Sequence, residues 1–255
     1  MKINSELLKE INKMGIKVLS ITGNGESIEK FTVNEIKELF KKFKNIDLVY
    51  NKIVDLEDWK IMGICSYRGA SSKRKAYRGL KNAVKMVYMN NKWDHILRKL
   101  FLKMKDSKKT IFLAHEPPLN TKLDLINNPE SPMDGKHLGD EYFRKYVEKY
   151  QPALMVCGHF HENQGTEKLG KTLIVNCGAA QAGEAAVIEI GEKIKVKFCP
   201  KCKSFEVGYV FGLSSWLGMS PKMRCKKCKF EMPSFPVLTI DKKTLKKAQN
   251  SDCKN

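Results

Sequence analysis

Residues able to hold a metal ion stand at the ends of separate apolar runs: Asn24 in Gly23-Asn24-Gly25, His115 before Glu116-Pro117-Pro118, and both histidines of Gly158-His159-Phe160-His161. Neutral imidazoles and an amide oxygen form a borderline donor set, suited to Mn, Fe or Zn rather than to Ca or Mg. The glycine before His159 leaves room for backbone close to such a site. His159 and His161, two residues apart in an extended turn, aim apart and can serve different ions. His137, between Gly135 and Gly139 in a polar loop, either reaches a phosphate group or braces the loop. His95 lies on an amphipathic helix and is structural. Taken singly, Asn24 is a turn former and each histidine an ordinary loop residue; the ordered set at strand ends carries the chemistry.

A second constellation lies near the C-terminus. Cys199-Pro200-Lys201-Cys202 and Cys225-Lys226-Lys227-Cys228 enclose 22 residues, the paired spacing with which four thiolates close a tetrahedral zinc site in a zinc ribbon. A module this small needs such a staple, because Phe205, Tyr209, Phe211, Trp216 and Phe230 supply only a thin core. Cys65, Cys157, Cys177 and Cys253 are scattered, a pattern of metal ligands plus free thiols rather than of a disulfide framework.

The elements that must position these residues follow from periodicity. Leu7, Leu8, Ile11 and Met14 have helical spacing up to Gly15. Residues 16–22 are β-rich and break at Gly23 to Glu26. Thr32 and Glu35 form a capping box that opens a helix with Ile36, Leu39, Phe40 and Phe43 on one face. Residues 46–67 alternate like a strand pair. Two basic amphipathic helices are predicted for 73–105, the first with Tyr77, Leu80, Val84 and Val87 on one face and Arg74, Arg78, Lys81 and Lys85 on another. A strand ends at His115, a long polar loop runs to Asp140, and a helix covers 140–150. Further strands, 153–157 and 172–175, end at Gly158 and at Asn176-Cys177-Gly178, and a hairpin around Gly191-Glu192 closes the body. Strand, polar turn and helix recur, which predicts an α/β sheet with its site at one strand edge.

Asn24, His115, His159 and His161, in this order and context, resemble the later motifs of the calcineurin-like metallophosphoesterases. The resemblance covers roughly residues 1 to 198. It implies a calcineurin-like sandwich and hydrolysis of a phosphomonoester or phosphodiester at a two-metal site, with Asn24, His115 and His159 on one ion and His161 on the other. The family's earlier Asp-x-His and Gly-Asp motifs do not precede Asn24. The only Gly-Asp pair, Gly139-Asp140, follows His115. The expectation is therefore an N-terminally incomplete domain lacking a unit of roughly 30 residues, with impaired chemistry because the second ion keeps His161 alone. Gly25 stands where many members carry a histidine that contacts phosphate or protonates the leaving group. The expected organisation is a partial phosphoesterase domain at 1–197, a zinc ribbon at 198–240 and a basic tail at 241–255.

Charge adds a statement about partners. The chain carries 47 Lys and Arg against 28 Asp and Glu, net +19. Residues 73–109 account for +11 and residues 198–255 for +8, while the remainder sums to zero. Basic patches with interleaved aromatics suit nucleic acid; the plainer account is a solvated lysine surface over an aromatic core. A second functional expectation follows, a degenerate phosphoesterase scaffold whose ribbon and basic helices bind nucleic acid or a protein. No run approaches the roughly 18 apolar residues of a membrane span, and no signal-like segment follows Met1, so a soluble cytoplasmic protein is expected. Oligomeric state is not encoded in any motif.

Overall fold

The computed structural model describes residues 2–23, 32–65, 80–180, 184–190, 194–197, 207–210, 222–225 and 228–232. Contacts divide the chain into two compact units, Met1–Asn176 and Cys177–Asn255.

The first unit begins with α1 (Lys2–Lys13), β1 (Val18–Ser20), α2 (Val33–Phe40) and β2 (Ile46–Leu48). Thr32 caps α2 as its sequence requires. Its side chain accepts from Glu35 N–H, and the Glu35 carboxylate accepts from Thr32 N–H, a reciprocal box that satisfies two otherwise orphaned donors. β1 and β2 pair in parallel, Val18 opposite Ile46 and Ser20 opposite Leu48. Ile36, Leu48 and Cys65 form a small core beneath them.

The larger sheet contains β3 (Lys52–Leu56), β4 (Trp59–Gly63), β5 (Thr110–Leu113), β6 (Leu154–Cys157), β7 (Gly165–Leu169) and β8 (Thr172–Asn176), in the order β3-β4-β5-β6-β8-β7. The inner four are parallel, and β3 and β7 pair antiparallel at the two ends. Parallel strands need long crossovers, which α3 (Leu80–Leu102) and α4 (Glu141–Tyr150) lie on. Trp93, Leu97, Leu100 and Phe101 of α3 and Phe143, Tyr146 and Val147 of α4 share one core with Met62, Phe112, Met155 and Ile174 of the strands. Phe112 lies edge-on to Phe101 at 5.1 Å and to Phe143 at 5.4 Å between centroids, the arrangement aromatic quadrupoles favour. On the opposite face Ile61, Ile111, Leu154 and Val175 are also buried, so these strands are apolar on both sides, as parallel strands must be.

Two corrections concern the elements. The two helices expected in 73–105 are one helix over the described part, Leu80–Leu102. No Gly or Pro interrupts that stretch, and from Val87, which is exposed, onward the first buried residue is Trp93. Tyr77, Arg74 and Arg78 lie outside the described residues. Residues 46–63 hold three strands rather than a pair: β2 joins β1, while β3 and β4 form a hairpin. The breaks fall at Asn51 and Glu57, both at positive φ, where neither glycine nor proline marks a turn. β7, hairpinned onto β8, is a strand that the sequence pattern does not announce.

In the second unit β9 (Val187–Glu189) and β10 (Lys195–Lys197) form the expected antiparallel hairpin. β11 (Val207–Val210), β12 (Lys222–Cys225) and β13 (Glu231–Met232) form a thin antiparallel sheet. Among the described residues no helix is long and apolar enough to cross a membrane.

Asp140 joins α3 and α4. One carboxylate oxygen accepts from Tyr142 and Phe143 N–H at 2.7 and 3.0 Å, capping α4, and the other accepts from the buried Trp93 indole N–H at 3.2 Å. Asp140→Ala removes the cap and leaves a buried donor unsatisfied, with an expected loss of about 2–4 kcal/mol. Urea unfolding of the variant measures this, and a loss below about 0.5 kcal/mol contradicts the bracing role.

Candidate metal centre

The parallel register brings the ends of β5, β6 and β8 to one edge of the sheet. Leu113 lies opposite Val156, and Cys157 opposite Asn176. The chain leaves β5 through Ala114, whose N–H donates to Val156 O, and the carbonyl of His115 then accepts from Gly158 N–H at 3.0 Å. The two histidine-bearing turns are therefore pinned to each other by backbone before any side chain is considered.

His159 occupies the left-handed region at φ 71°, inside a three-residue turn closed by Phe160 N–H to Gly158 O at 2.9 Å. Such backbone costs a non-glycine residue roughly 1–3 kcal/mol and persists where its surroundings impose it. Phe160, buried, lies edge-on to the His159 ring at 4.8 Å. Asn176, fully buried at the end of β8, donates its side-chain N–H to Phe160 O at 2.8 Å. This amide holds the carbonyl between His159 and His161. Sequence pattern assigns Asn176 no chemistry, because its partner lies on a different strand end.

His115 Nε2 and His159 Nδ1 stand 3.0 Å apart, with ring centroids at 4.8 Å. Two nitrogens each about 2.1 Å from a common ion and at right angles to one another would be about 3.0 Å apart, so the pair fits two neighbouring positions around one cation. Burial, and beyond it the nearby His161, lowers the pKa of His115 to about 4. The ring is therefore neutral at physiological pH, the form in which imidazole ligates metal. His161 is exposed, at the start of the 3₁₀ turn His161–Asn163. The structure thus brings His115 and His159 into contact, with His161 near enough to act on His115 electrostatically, while Asn24 lies outside the described residues. Among the described residues no cluster of three or more His, Cys, Asp or Glu side chains could hold a metal ion; the convergent element is the His115–His159 pair.

The loop from Glu116 to Gly139 closes over its own buried carboxylate. Asp124 accepts from Asn120, Thr121 and Gly139 N–H at 3.2, 2.7 and 2.8 Å, and its Oδ1 lies 2.8 Å from His137 Nδ1. Asp140 N–H donates to Pro117 O, so the loop base lies beside His115. A methyl group at Gly139 would stand 2.7 Å from the carbonyls of Pro117 and Pro118, which leaves glycine as the residue that fits. His137 is thus placed on Asp124.

In the second unit Cys225 is fully buried at the end of β12, and its N–H donates to Phe230 O while its carbonyl accepts from Lys229 N–H. Lys229, directly after Cys228, is at φ 60°, so the chain doubles back tightly around the second Cys-x-x-Cys pair. Cys199 and Cys202 lie outside the described residues.

A mixed α/β sheet with two imidazoles meeting at the ends of its parallel strands is an architecture consistent with a calcineurin-like domain. The chain belongs to the metallophosphoesterases of the calcineurin superfamily, whose family model matches residues 1–199. The family hydrolyses phosphoesters with divalent metals. An uncharacterised protein of Methanocaldococcus jannaschii, MJ1162, is 28% identical over 165 residues, 63% of either chain. The chain thus spans less than two thirds of that relative's length. A solved crystal structure at 17% identity superposes with a TM-score of 0.50 over 76% of this chain and 70% of its own, a likeness of fold. The Thermus thermophilus protein TT1561 is more distant, at 14% identity and a TM-score of 0.35 over 60% of this chain and 59% of its own.

Since the folded His115 pKa is about 4 against an ordinary 6.5, the unfolded chain takes up a proton that the folded ring refuses. No penalty exists above pH 6.5; stability is expected to fall as pH drops from about 6.5 towards about 4. Urea unfolding of metal-free protein across that window should show a shallower pH slope in His115→Asn. An unchanged slope refutes the assignment.

Proposed function

We propose that this protein hydrolyses a phosphomonoester or phosphodiester at a divalent-metal site, with Asn24, His115 and His159 holding one ion and His161 reaching a second. The observation supporting this reading is the His115–His159 pair, nitrogens 3.0 Å apart at the C-terminal edge of the parallel strands. When bound, a cation such as Mn, Fe or Zn polarises the phosphoryl group and lowers the pKa of coordinated water. The residues do the rest: the strained His159 turn and the Asn176 bond to Phe160 O hold the backbone that carries His159, and burial keeps His115 unprotonated. His161 is the motif residue assigned to the second ion. Bis-p-nitrophenyl phosphate with Mn²⁺ provides the test. Metal-dependent release of nitrophenolate, reduced at least a hundredfold in His115→Ala and in His159→Ala, is the expected result, and an absence of turnover overturns the reading.

A scaffold that binds nucleic acid is a second reading, favoured by the charge distribution. Lys92, Arg98, Lys99, Lys103 and Lys105 are exposed along and just after α3, together with Tyr88. Salt-sensitive binding of RNA or DNA that survives His115→Ala would support it, and indifference at low salt would count against it.

The second unit is proposed to contain a structural zinc ribbon on Cys199, Cys202, Cys225 and Cys228. The tight turn after Cys225, with β12 and β13 pairing on either side, supports the ligand geometry. Purified protein should carry stoichiometric zinc at this site, lost in Cys225→Ser. Zinc content equal in wild type and variant would refute it.

A further inference from the structure

Breaking a phosphoester leaves an alkoxide or phenoxide on the departing group, which requires a proton in proportion to its basicity. The chain has five histidines. His115, His159 and His161 are committed to the metal centre, and His95 is exposed on α3. His137 remains, and it is built differently from a surface histidine.

Its Nδ1 lies 2.8 Å from Oδ1 of Asp124, a carboxylate with no exposed surface, whereas the His137 side chain keeps 35% of its own. Backbone N–H groups of Asn120, Thr121 and Gly139 and the Thr121 hydroxyl also donate to Asp124, so the carboxylate is fixed from several directions. An immobilised carboxylate at Nδ1 orients the imidazole with Nδ1–H towards it and leaves Nε2 as the working atom, turned away from Asp124. The loop also ties His137 to both sides of the metal centre. Its backbone bridges to Leu125, whose carbonyl accepts from the Asn163 side chain at 2.7 Å; Asn163 ends the 3₁₀ turn that His161 begins. Two residues further on, Gly139 packs against the carbonyls of Pro117 and Pro118, just after His115.

We propose that His137, oriented by the buried Asp124, is the catalytic acid for the leaving group in the phosphoester hydrolysis assigned above, an inference that rests on that assignment. A P–O bond forms to the oxygen of water while the ester P–O bond breaks, its electron pair passing to the leaving oxygen. With Nδ1–H donating to Asp124, the ring protonated on both nitrogens gives its Nε2 proton to that oxygen and becomes neutral, and the proton released by the attacking water returns it to the cation. Water and ester are consumed, alcohol and phosphate are formed, and the dyad ends as it began. Asp124 is a positioning residue that acts through His137.

The test compares bis-p-nitrophenyl phosphate, whose leaving group departs without help, with diphenyl phosphate, whose leaving group is far more basic. His137→Gln is expected to lower kcat on diphenyl phosphate by about 10²–10⁴ and on the nitrophenyl ester by less than about tenfold. Loss of equal size on both substrates, or on neither, overturns the inference while leaving the phosphoesterase assignment intact. No turnover of either ester by the wild-type protein overturns both. A readout independent of turnover is ¹⁵N NMR of the zinc-loaded protein: inorganic phosphate should shift the His137 Nε2 resonance. A resonance that ignores phosphate marks His137 as a loop brace and refutes the inference. Asp124→Asn, if folded, should reproduce the selective loss in weaker form, and an unfolded Asp124 variant leaves the decision with His137→Gln.

Discussion

The hydrogen-bond register of β5, β6 and β8 is the constraint on which the site depends. Three parallel strands end level, and the backbone link from Gly158 N–H to His115 O carries that alignment one residue beyond the strands. A slip of one residue would turn every side chain to the other face, and Phe112, Met155 and Ile174, now stacked against α3 and α4, would exchange places with Ile111, Leu154 and Val175. Because both faces are apolar, burial alone distinguishes the two registers weakly. The ends distinguish them better: the carbonyl of Phe160 meets the amide of Asn176 in one register only.

Around this frame the protein concentrates its conformational cost at the metal centre. His159 stands in a backbone region that disfavours side chains, beside a desolvated His115 that has surrendered its basicity. Neither feature improves folding. Both hold two ring nitrogens at a fixed separation, and the cost is offset by the large aromatic core on the helix side of the sheet and by the Asp140 link between the two helices.

Much of the frame was legible in the sequence. The Thr32–Glu35 box is local and formed as expected, Asp140 opened its helix, and the strands ending at His115, Gly158 and Asn176 were visible because apolar runs gave way to polar turns. The turns at Asn51 and Glu57 were not, since left-handed backbone was adopted there without glycine. β7 was missed because Gly165–Leu169 carries polar and charged residues, having one sheet neighbour at the edge and, in Leu169, a single buried side chain. Asn176 and Asp124 escaped for another reason: each acquires its role from partners distant in sequence, and neither belongs to a short motif. Asn24, Cys199 and Cys202 lie outside the described residues, so their part of the reading stays with the sequence.

Gly63, at the end of β4, faces Val49, whose carbonyl would be 2.5 Å from a methyl group placed there. Val49 follows β2, its N–H donates to Ser20 O, and Thr22 N–H donates to the Cys65 thiol just beyond β4. The smaller sheet therefore meets the larger one at a spot kept free of atoms, and this near-contact sets the height at which the chain leaves β1 for Gly23. A hydrogen atom where other residues carry a side chain thus acts as a shim between two layers.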